Sequence, residues 1–171
     1  VGDAAKQRYQ SLGIDLEEVK QNLLDVNNLA LEGKPEDMVI TSHICRGNYH
    51  STYFTSGPYD SVADYVFAKE NVDALFLEYD DERSGGFAPL AKVSPDKKVV
   101  LGLITTKTPE LEDKKEVIER IHEAAKYIPL ERLCLSPQCG FASCEIGNKL
   151  TEEQQWAKLK LVKEIAEEVW G

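Results

Sequence analysis

Four short apolar runs, separated by segments with helical periodicity, constrain the fold of this chain most strongly. The predicted strands are residues 38–44, 73–79, 98–105 and 131–136. Strands that alternate with helices predict an α/β fold with a parallel sheet, because each parallel connection has to cross back over the sheet. Because two of these strands, at 73–79 and 98–105, contain near-continuous apolar runs (ALFL and VVLGLI), we also expect the sheet to be covered on both faces.

The predicted helices flank these strands. They cover residues 15–32, 61–70, 110–127 and 151–169. The last of them opens with Thr151 and Gln154 at the spacing of a capping box. This order of elements is compatible with two layouts, a doubly wound sheet and part of a (β/α)8 barrel.

Composition excludes several classes of protein. The chain has 171 residues, with 20 basic and 30 acidic side chains and a net charge of −10. This acidity argues against nucleic acid as a partner, because a phosphate backbone would be repelled. No run approaches the roughly 18 apolar residues of a membrane span, and the N-terminus lacks a signal peptide's apolar core. With four cysteines and no secretory signal, we expect a cytoplasmic protein with reduced thiols.

Polar side chains at the carboxyl ends of the predicted strands indicate where the chemistry lies. The candidates are His43 and Cys45 at the end of the first strand, Glu78 at the end of the second and Cys139 after the fourth. This edge of a parallel sheet is where α/β proteins build their active sites, so we expect these side chains to converge. One imidazole, two thiolates and one carboxylate form a donor set that favours Zn²⁺ over Mg²⁺ or Ca²⁺.

Other candidate residues have simpler interpretations. Cys134 lies between leucines in a strand and is predicted to be a buried structural thiol. We expect Cys144 to be a spectator in a loop and His122 to be exposed on a charged helix. For His50, a solvated role and a substrate-facing role are both open. The segment 83–86 either binds an anion or forms a flexible acidic loop.

Several segments resemble the cobalamin-independent methionine synthase family. The sequence TSHICRGN at 41–48 resembles the H-x-C zinc motif, and FLE at 76–78 resembles the strand end that carries the zinc glutamate. The sequence ERLCLSPQCG at 131–140 resembles the segment that carries the last zinc cysteine. The sequence VLGLITTKTPELE at 100–112 is similar to the shorter, methionine-synthase-II-like branch, which has a single barrel. The resemblance begins near residue 36 and runs to the C-terminus.

This resemblance implies a (β/α)8 barrel related to uroporphyrinogen decarboxylase. It implies zinc held by His43, Cys45, Glu78 and Cys139. It also implies transfer of a methyl group from 5-methyltetrahydrofolate, often the polyglutamate, to homocysteine, which forms methionine. Zinc would lower the pKa of the homocysteine thiol, so that the acceptor reacts as a thiolate at neutral pH.

The chain departs from the family pattern in two ways. Lys107 stands where the family places a proton-relay histidine, which makes Lys107 the candidate catalytic residue. Four strands are predicted instead of the barrel's eight, so residues 1–171 are interpreted as the C-terminal half of one catalytic barrel domain and a fragment of a longer chain.

Three alternatives stay open beside the methyltransferase. A zinc-binding half-barrel would associate with another copy or with the missing half and would have no activity alone. The same zinc chemistry would also serve a different methyl donor and thiol. A metal-free decarboxylase-like barrel is less favoured, because Cys45 and Cys139 fall at matched strand ends.

Overall fold

The computed structural model describes residues 3–171, which build one four-stranded sheet. Its strands are β1 (Thr41–Ile44), β2 (Ala74–Glu78), β3 (Lys98–Ile104) and β4 (Leu133–Pro137). Neighbouring strands are parallel, and their order in the sheet is β1-β2-β3-β4. The α/β class, with four parallel strands that alternate with helices, is therefore confirmed.

The helices lie before, between and after these strands. They are α1 (Asp3–Ser11), α2 (Leu16–Ala30), α3 (Asp60–Val62, continued by a π-helical turn over Ala63–Phe67), α4 (Lys114–Ala124) and α5 (Glu152–Trp170). The capping box of α5 is present, with Thr151 and Gln154 bonded reciprocally. No helix within residues 3–171 combines the length and the apolar character needed to cross a membrane.

The strand order distinguishes the two layouts that the sequence pattern allowed. Each strand lies beside its predecessor in sequence, so strands are added to the sheet on the same side every time. Connections of one hand then carry the helices to a single face of the sheet, as in a barrel. In a doubly wound sheet the order in which strands are added reverses once, so helices cover both faces of the sheet. Leu75, Leu77 and Leu101 lie in the buried core on the helix-covered face.

The opposite face of the sheet is only partly covered. Its middle row is formed by His43, Phe76, Val100 and Cys134, which are register partners across the four strands. His43 is exposed, and Phe76 and Cys134 are half-buried. The prediction of a sheet covered on both faces therefore holds only in part for the described residues, because Val100 is buried on this face while His43, Phe76 and Cys134 are not. Cys134 is accordingly less buried than predicted.

Candidate metal centre

Four side chains meet at the carboxyl end of the sheet. His43 lies in β1, Cys45 directly follows that strand, Glu78 ends β2 and Cys139 follows β4. One donor atom from each of these residues lies within 4.8 Å of the other three. The structure thus brings together all four residues that the sequence pattern singled out, and their role as metal ligands stays a prediction.

His43 is oriented by the backbone of the neighbouring strand. Its Nδ1 lies 3.2 Å from the carbonyl oxygen of Phe76. A carbonyl can only accept a hydrogen bond, so Nδ1 carries a proton, and in the neutral ring Nε2 is the nitrogen with the lone pair. Nε2 lies 4.0 Å from Oε1 of Glu78, on the side of the donor cluster. Metal-binding histidines are commonly oriented in this way, by a hydrogen bond from the ring nitrogen that does not bind the metal.

The protonation of the sulfur donors depends on their neighbours. The hydrogen bond between His43 and Cys139 raises the pKa of the imidazole and lowers the pKa of the Cys139 thiol. Desolvation raises the pKa of Cys45 to about 11. A bound divalent cation would change these protonation states. It would deprotonate the thiols that coordinate it, and it would bind the imidazole in its neutral form.

Glu78 is a fully buried carboxylate with a donor on each oxygen. The backbone N–H of Arg46 donates to Oε2 at 3.0 Å, and Nε2 of Gln138 donates to Oε1 at 3.1 Å. The guanidinium of Arg83 lies 3.7 Å from Oε2. Burying a carboxylate costs free energy that an apolar side chain of similar size would not. Glu78 is therefore expected to serve through its negative charge or through its oxygen lone pairs.

The segment 83–86 follows neither of its predicted alternatives. Arg83 lies in a 3₁₀ turn (Glu82–Ser84), and its side chain is only 4% exposed. Its guanidinium pairs with Asp80 at 2.8 Å and with Asp81, and it stacks on the ring of Tyr53. Because these internal carboxylates already neutralise it, Arg83 is not an open anion site, and the turn is not a loose loop.

Lys107 is buried in the loop after β3. Its residue is 8% exposed, and its Nζ has no hydrogen-bond partner within residues 3–171. Desolvation lowers the pKa of Lys107, and the charge of Asp80 opposes that shift. The charges of Glu78 and Cys139 also act on this ammonium group, which places Lys107 at the same end of the sheet as the donor cluster.

A network of two buried amides and one half-buried amide supports the site, and the sequence pattern did not predict it. Oε1 of Gln138 accepts hydrogen bonds from the backbone N–H and the hydroxyl of Thr106, at 3.2 and 2.8 Å. Nδ2 of Asn148 donates to the carbonyl of Thr106 and to Asn48. Asn48 in turn donates to the carbonyl of Gly140 at 2.7 Å. The only sequence signal was the position of Gln138 beside Cys139.

The remaining candidates lie outside the donor cluster. Nδ1 of His50 bonds the carbonyl of Gly147 at 3.2 Å, so His50 joins two loops and is half-buried. His122 is exposed on α4, as predicted. Cys144 is exposed and is not among the four grouped donors.

Comparisons with known proteins agree with this architecture. Residues 24–168 match the family model described as the catalytic domain of cobalamin-independent synthase. The chain is 52% identical over 165 residues to the uncharacterized protein YxjG of Bacillus subtilis (strain 168), and 52% identical over 169 residues to YxjH of the same strain. These matches cover 96% and 98% of this chain but only 44% and 45% of the relatives. The chain therefore spans less than half the length of the relatives it matches.

Two solved structures share the fold. One is a Listeria monocytogenes protein assigned provisionally as a vitamin-B12 independent methionine synthase, with 42% identity and a TM-score of 0.72 over 93% of this chain and 43% of that one. The other is a B12-independent methionine synthase from Shewanella sp. W3-18-1, which at 23% identity and a TM-score of 0.71 supports the fold alone. It covers 90% of this chain and 44% of that one. The four-stranded unit is half of such a barrel, and the chain belongs to the catalytic-domain family of the cobalamin-independent methionine synthases.

Proposed function

We propose that this chain carries the zinc-binding half of a methyltransferase. The reaction moves a methyl group from 5-methyltetrahydrofolate, including its polyglutamate, to the thiol of homocysteine and forms methionine. The observation that carries the proposal is the approach of four donor atoms to within 4.8 Å at one end of the sheet. The residues that would hold zinc are His43, Cys45, Glu78 and Cys139.

The donor set fits zinc. Two sulfurs, one imidazole nitrogen and one carboxylate oxygen form the mixed set that tetrahedral zinc accepts, and the sulfurs disfavour Mg²⁺ and Ca²⁺. Zinc, when bound, lowers the pKa of an acceptor thiol and so makes it nucleophilic at neutral pH.

The chain's own residues would handle the proton that the reaction requires. In the transfer, the bond from the methyl carbon to the donor's ring nitrogen breaks, and a bond from that carbon to the acceptor sulfur forms. The thiol loses its proton, and the ring nitrogen takes the electron pair and one proton. We assign the delivery of that proton to Nζ of Lys107, which is buried, unpaired within residues 3–171 and has a lowered pKa that eases proton release.

The open edges of the sheet support a second candidate, a zinc-binding half-barrel without turnover of its own. Within residues 3–171, the outer edges of β1 and β4 pair with no strand. Leu23, Val26 and Leu29 of α2 are each at least 60% exposed. Such edges and apolar faces favour association. In this candidate the half-barrel pairs with further barrel strands or with another copy before methyl transfer occurs.

The metal is tested first. The zinc content of the purified protein should be close to one ion per chain and should fall in Cys139→Ser. Cys144→Ser is the matched control, because Cys144 is exposed and lies outside the donor group. A wild-type protein without zinc, prepared with no chelator, would refute the metal site.

Methyl transfer is tested second. The chain alone and the chain extended at its N-terminus to the length of its relatives should be assayed with methyltetrahydrofolate and homocysteine, and then with other methyl donors and other thiols. Activity in the extended chain alone favours the inactive half-barrel, and activity in both favours the first candidate. Activity with another donor or thiol alone would replace the proposed substrates.

A further inference from the structure

We propose that Gln138 is a positioning residue that holds Glu78 so that a single carboxylate oxygen, Oε1, faces the metal. The inference rests on the proposed metal site and adds a residue to it. Gln138 is 1% exposed and Glu78 is completely buried, so neither side chain can turn to water for a replacement partner. Their hydrogen bond, from Nε2 to Oε1, is 3.1 Å long.

The orientation of the Gln138 amide is fixed by Thr106. The backbone N–H of Thr106 can only donate, and it lies 3.2 Å from the amide oxygen of Gln138. The Thr106 hydroxyl donates to the same oxygen at 2.8 Å. A flipped amide would set its N–H groups against the N–H of Thr106 in a buried place, which leaves buried donors without an acceptor and is strongly unfavourable. Nε2 must therefore face Glu78.

The opposite oxygen of Glu78 is held from another direction. Oε2 accepts from the backbone N–H of Arg46, and the guanidinium of Arg83 lies 3.7 Å away. Oε1 accepts from Gln138 and lies on the side of His43, 4.0 Å from Nε2 of that ring. With a donor on each oxygen, the carboxylate cannot rotate about its last bond. Oε1 keeps one lone pair free on the side of the donor cluster.

Two features explain why a neutral amide is placed here. Gln138 directly precedes Cys139, so one short segment positions a thiol through its backbone and a carboxylate through its side chain. Glutamate at 138 would set two carboxylates against each other, whereas methionine would fill the volume and donate nothing.

The experiment compares zinc affinity in three variants with that of the wild type. Gln138→Met removes the amide at nearly constant shape, Gln138→Glu reverses its polarity, and Thr106→Val removes one of the two bonds that orient it. Chelator competition should show zinc binding about 10- to 100-fold weaker in both Gln138 variants, the range typical of lost partners of metal ligands. Thr106→Val should weaken zinc binding less. Gln155→Met, on α5, is the control with unchanged affinity.

A second readout reports on the ligand geometry directly. The visible absorption bands of the Co²⁺-substituted protein depend on the number and symmetry of the ligands. They should change in Gln138→Met and stay unchanged in Gln155→Met. Circular dichroism and thermal unfolding of the metal-free proteins establish that the variants are folded, and Thr106→Val keeps the test decisive if Gln138→Met does not fold.

The outcomes separate the two proposals. If the wild type binds zinc and Gln138→Met keeps the same affinity and the same Co²⁺ spectrum, the positioning role is refuted and the metal site stands. If the wild type binds neither ion, the metal site fails and the positioning role fails with it.

Discussion

Nη2 of Arg83 lies 3.7 Å from Oε2 of Glu78 while it pairs with Oδ1 of Asp80 at 2.8 Å. One buried cation is thus shared between a proposed metal ligand and an acidic turn. The carboxylates of Asp80, Asp81 and Glu78 hold the pKa of Arg83 above its usual value, against the desolvation that would lower it. Arg83 therefore stays charged and compensates the negative charge that accumulates at this end of the sheet.

Arg83→Met should destabilise the protein in a pH-dependent way. It leaves Asp80 buried without its cation, which should lower the free energy of unfolding by about 3–5 kcal/mol near neutral pH. Burial already raises the pKa of Asp80, and loss of the opposing Arg83 charge should raise it further. A carboxyl whose folded-state pKa lies above its unfolded value costs stability as pH rises from the unfolded pKa toward the folded one, so the deficit should grow as pH rises above about 4.

Urea denaturation at several pH values measures this deficit. Lys92→Met is the control, since it removes an exposed ion pair with Asp64 and should change stability by less than about 1 kcal/mol. A deficit for Arg83→Met that is constant across the pH range would contradict the account of Asp80.

Lys107→Met should stabilise the fold and impair methyl transfer. The substitution removes a buried ammonium group that has no hydrogen-bond partner within residues 3–171, so stability should rise by about 1–3 kcal/mol. Desolvation lowers the folded-state pKa of Lys107, so the advantage of the variant should shrink as pH rises through that pKa. Lys98→Met, at an exposed position in β3, is the control. A less stable Lys107→Met protein would show that the ammonium is held by a favourable contact.

Lys158→Met should destabilise the link between α5 and the loop after β3. Lys158 is fully buried and donates to the carbonyl of Glu110 at 2.6 Å and to both carboxylate oxygens of Glu112 at 3.1 Å. Glu112 in turn accepts from the backbone N–H of Thr105, which starts the loop that carries Lys107. Breaking a buried ion pair from one side should cost about 3–5 kcal/mol, measured by urea denaturation.

The matched control for Lys158 lies two residues further along the same helix. Lys160 is 76% exposed and pairs with Glu164 at 3.7 Å. Lys160→Met should lower stability by less than about 1 kcal/mol. Equal effects of the two substitutions would mean that the buried pair contributes no more than a surface pair.

Gly102→Ala should disturb both stability and metal binding. A Cβ at position 102 would lie 2.7 Å from Cα of Gln138 and 2.9 Å from the carbonyl oxygen of Leu77. Both contacts are with backbone, so the strands must separate, at a cost of about 1–3 kcal/mol. Zinc affinity should fall with it, because Gln138 is displaced. Gly86→Ala, where a Cβ meets no atom within 4 Å, should leave both quantities unchanged. Unaltered zinc affinity in Gly102→Ala would separate the metal site from the Gln138 backbone.

The sequence predicts the α/β class well because its signals are local. Apolar runs and helical spacing are sufficient to locate four strands and the helices between them. Because the carboxyl ends of parallel strands lie at one edge of the sheet, His43 and Glu78 were expected to lie close together. The layout needed more information, because strand order is set by contacts between distant residues. The resemblance implied a barrel, and the order of strands in the structure agrees with it.

The hydrogen bonds and ion pairs that surround the donor cluster could not be predicted from the sequence. Thr106 and Asn148 lie in loops, and their amide and hydroxyl groups become informative only when burial removes their water partners. Arg83 illustrates the same limit: its neighbours in sequence allowed an anion site or a flexible loop. Its pairing with Asp80 depends on a 3₁₀ turn that packs it inside.

The glycine in β3 has a consequence for how the donors reach each other. Glu78, Gly102 and Ser136 are register partners, so the ends of β2 and β4 are two strand spacings apart, about 9.6 Å. Beside the register shift between Gly102 and Ile104, the N–H of Gln138 donates to the carbonyl of Ile104. The chain after β4 therefore crosses over the end of β3, where the Cα of Gln138 comes close to Gly102. Without a side chain at Gly102, that crossing passes close enough to bring Cys139 to Glu78. β3 provides none of the four grouped donors, but its missing side chain leaves the space through which donors from the non-adjacent strands β2 and β4 would reach one proposed ion.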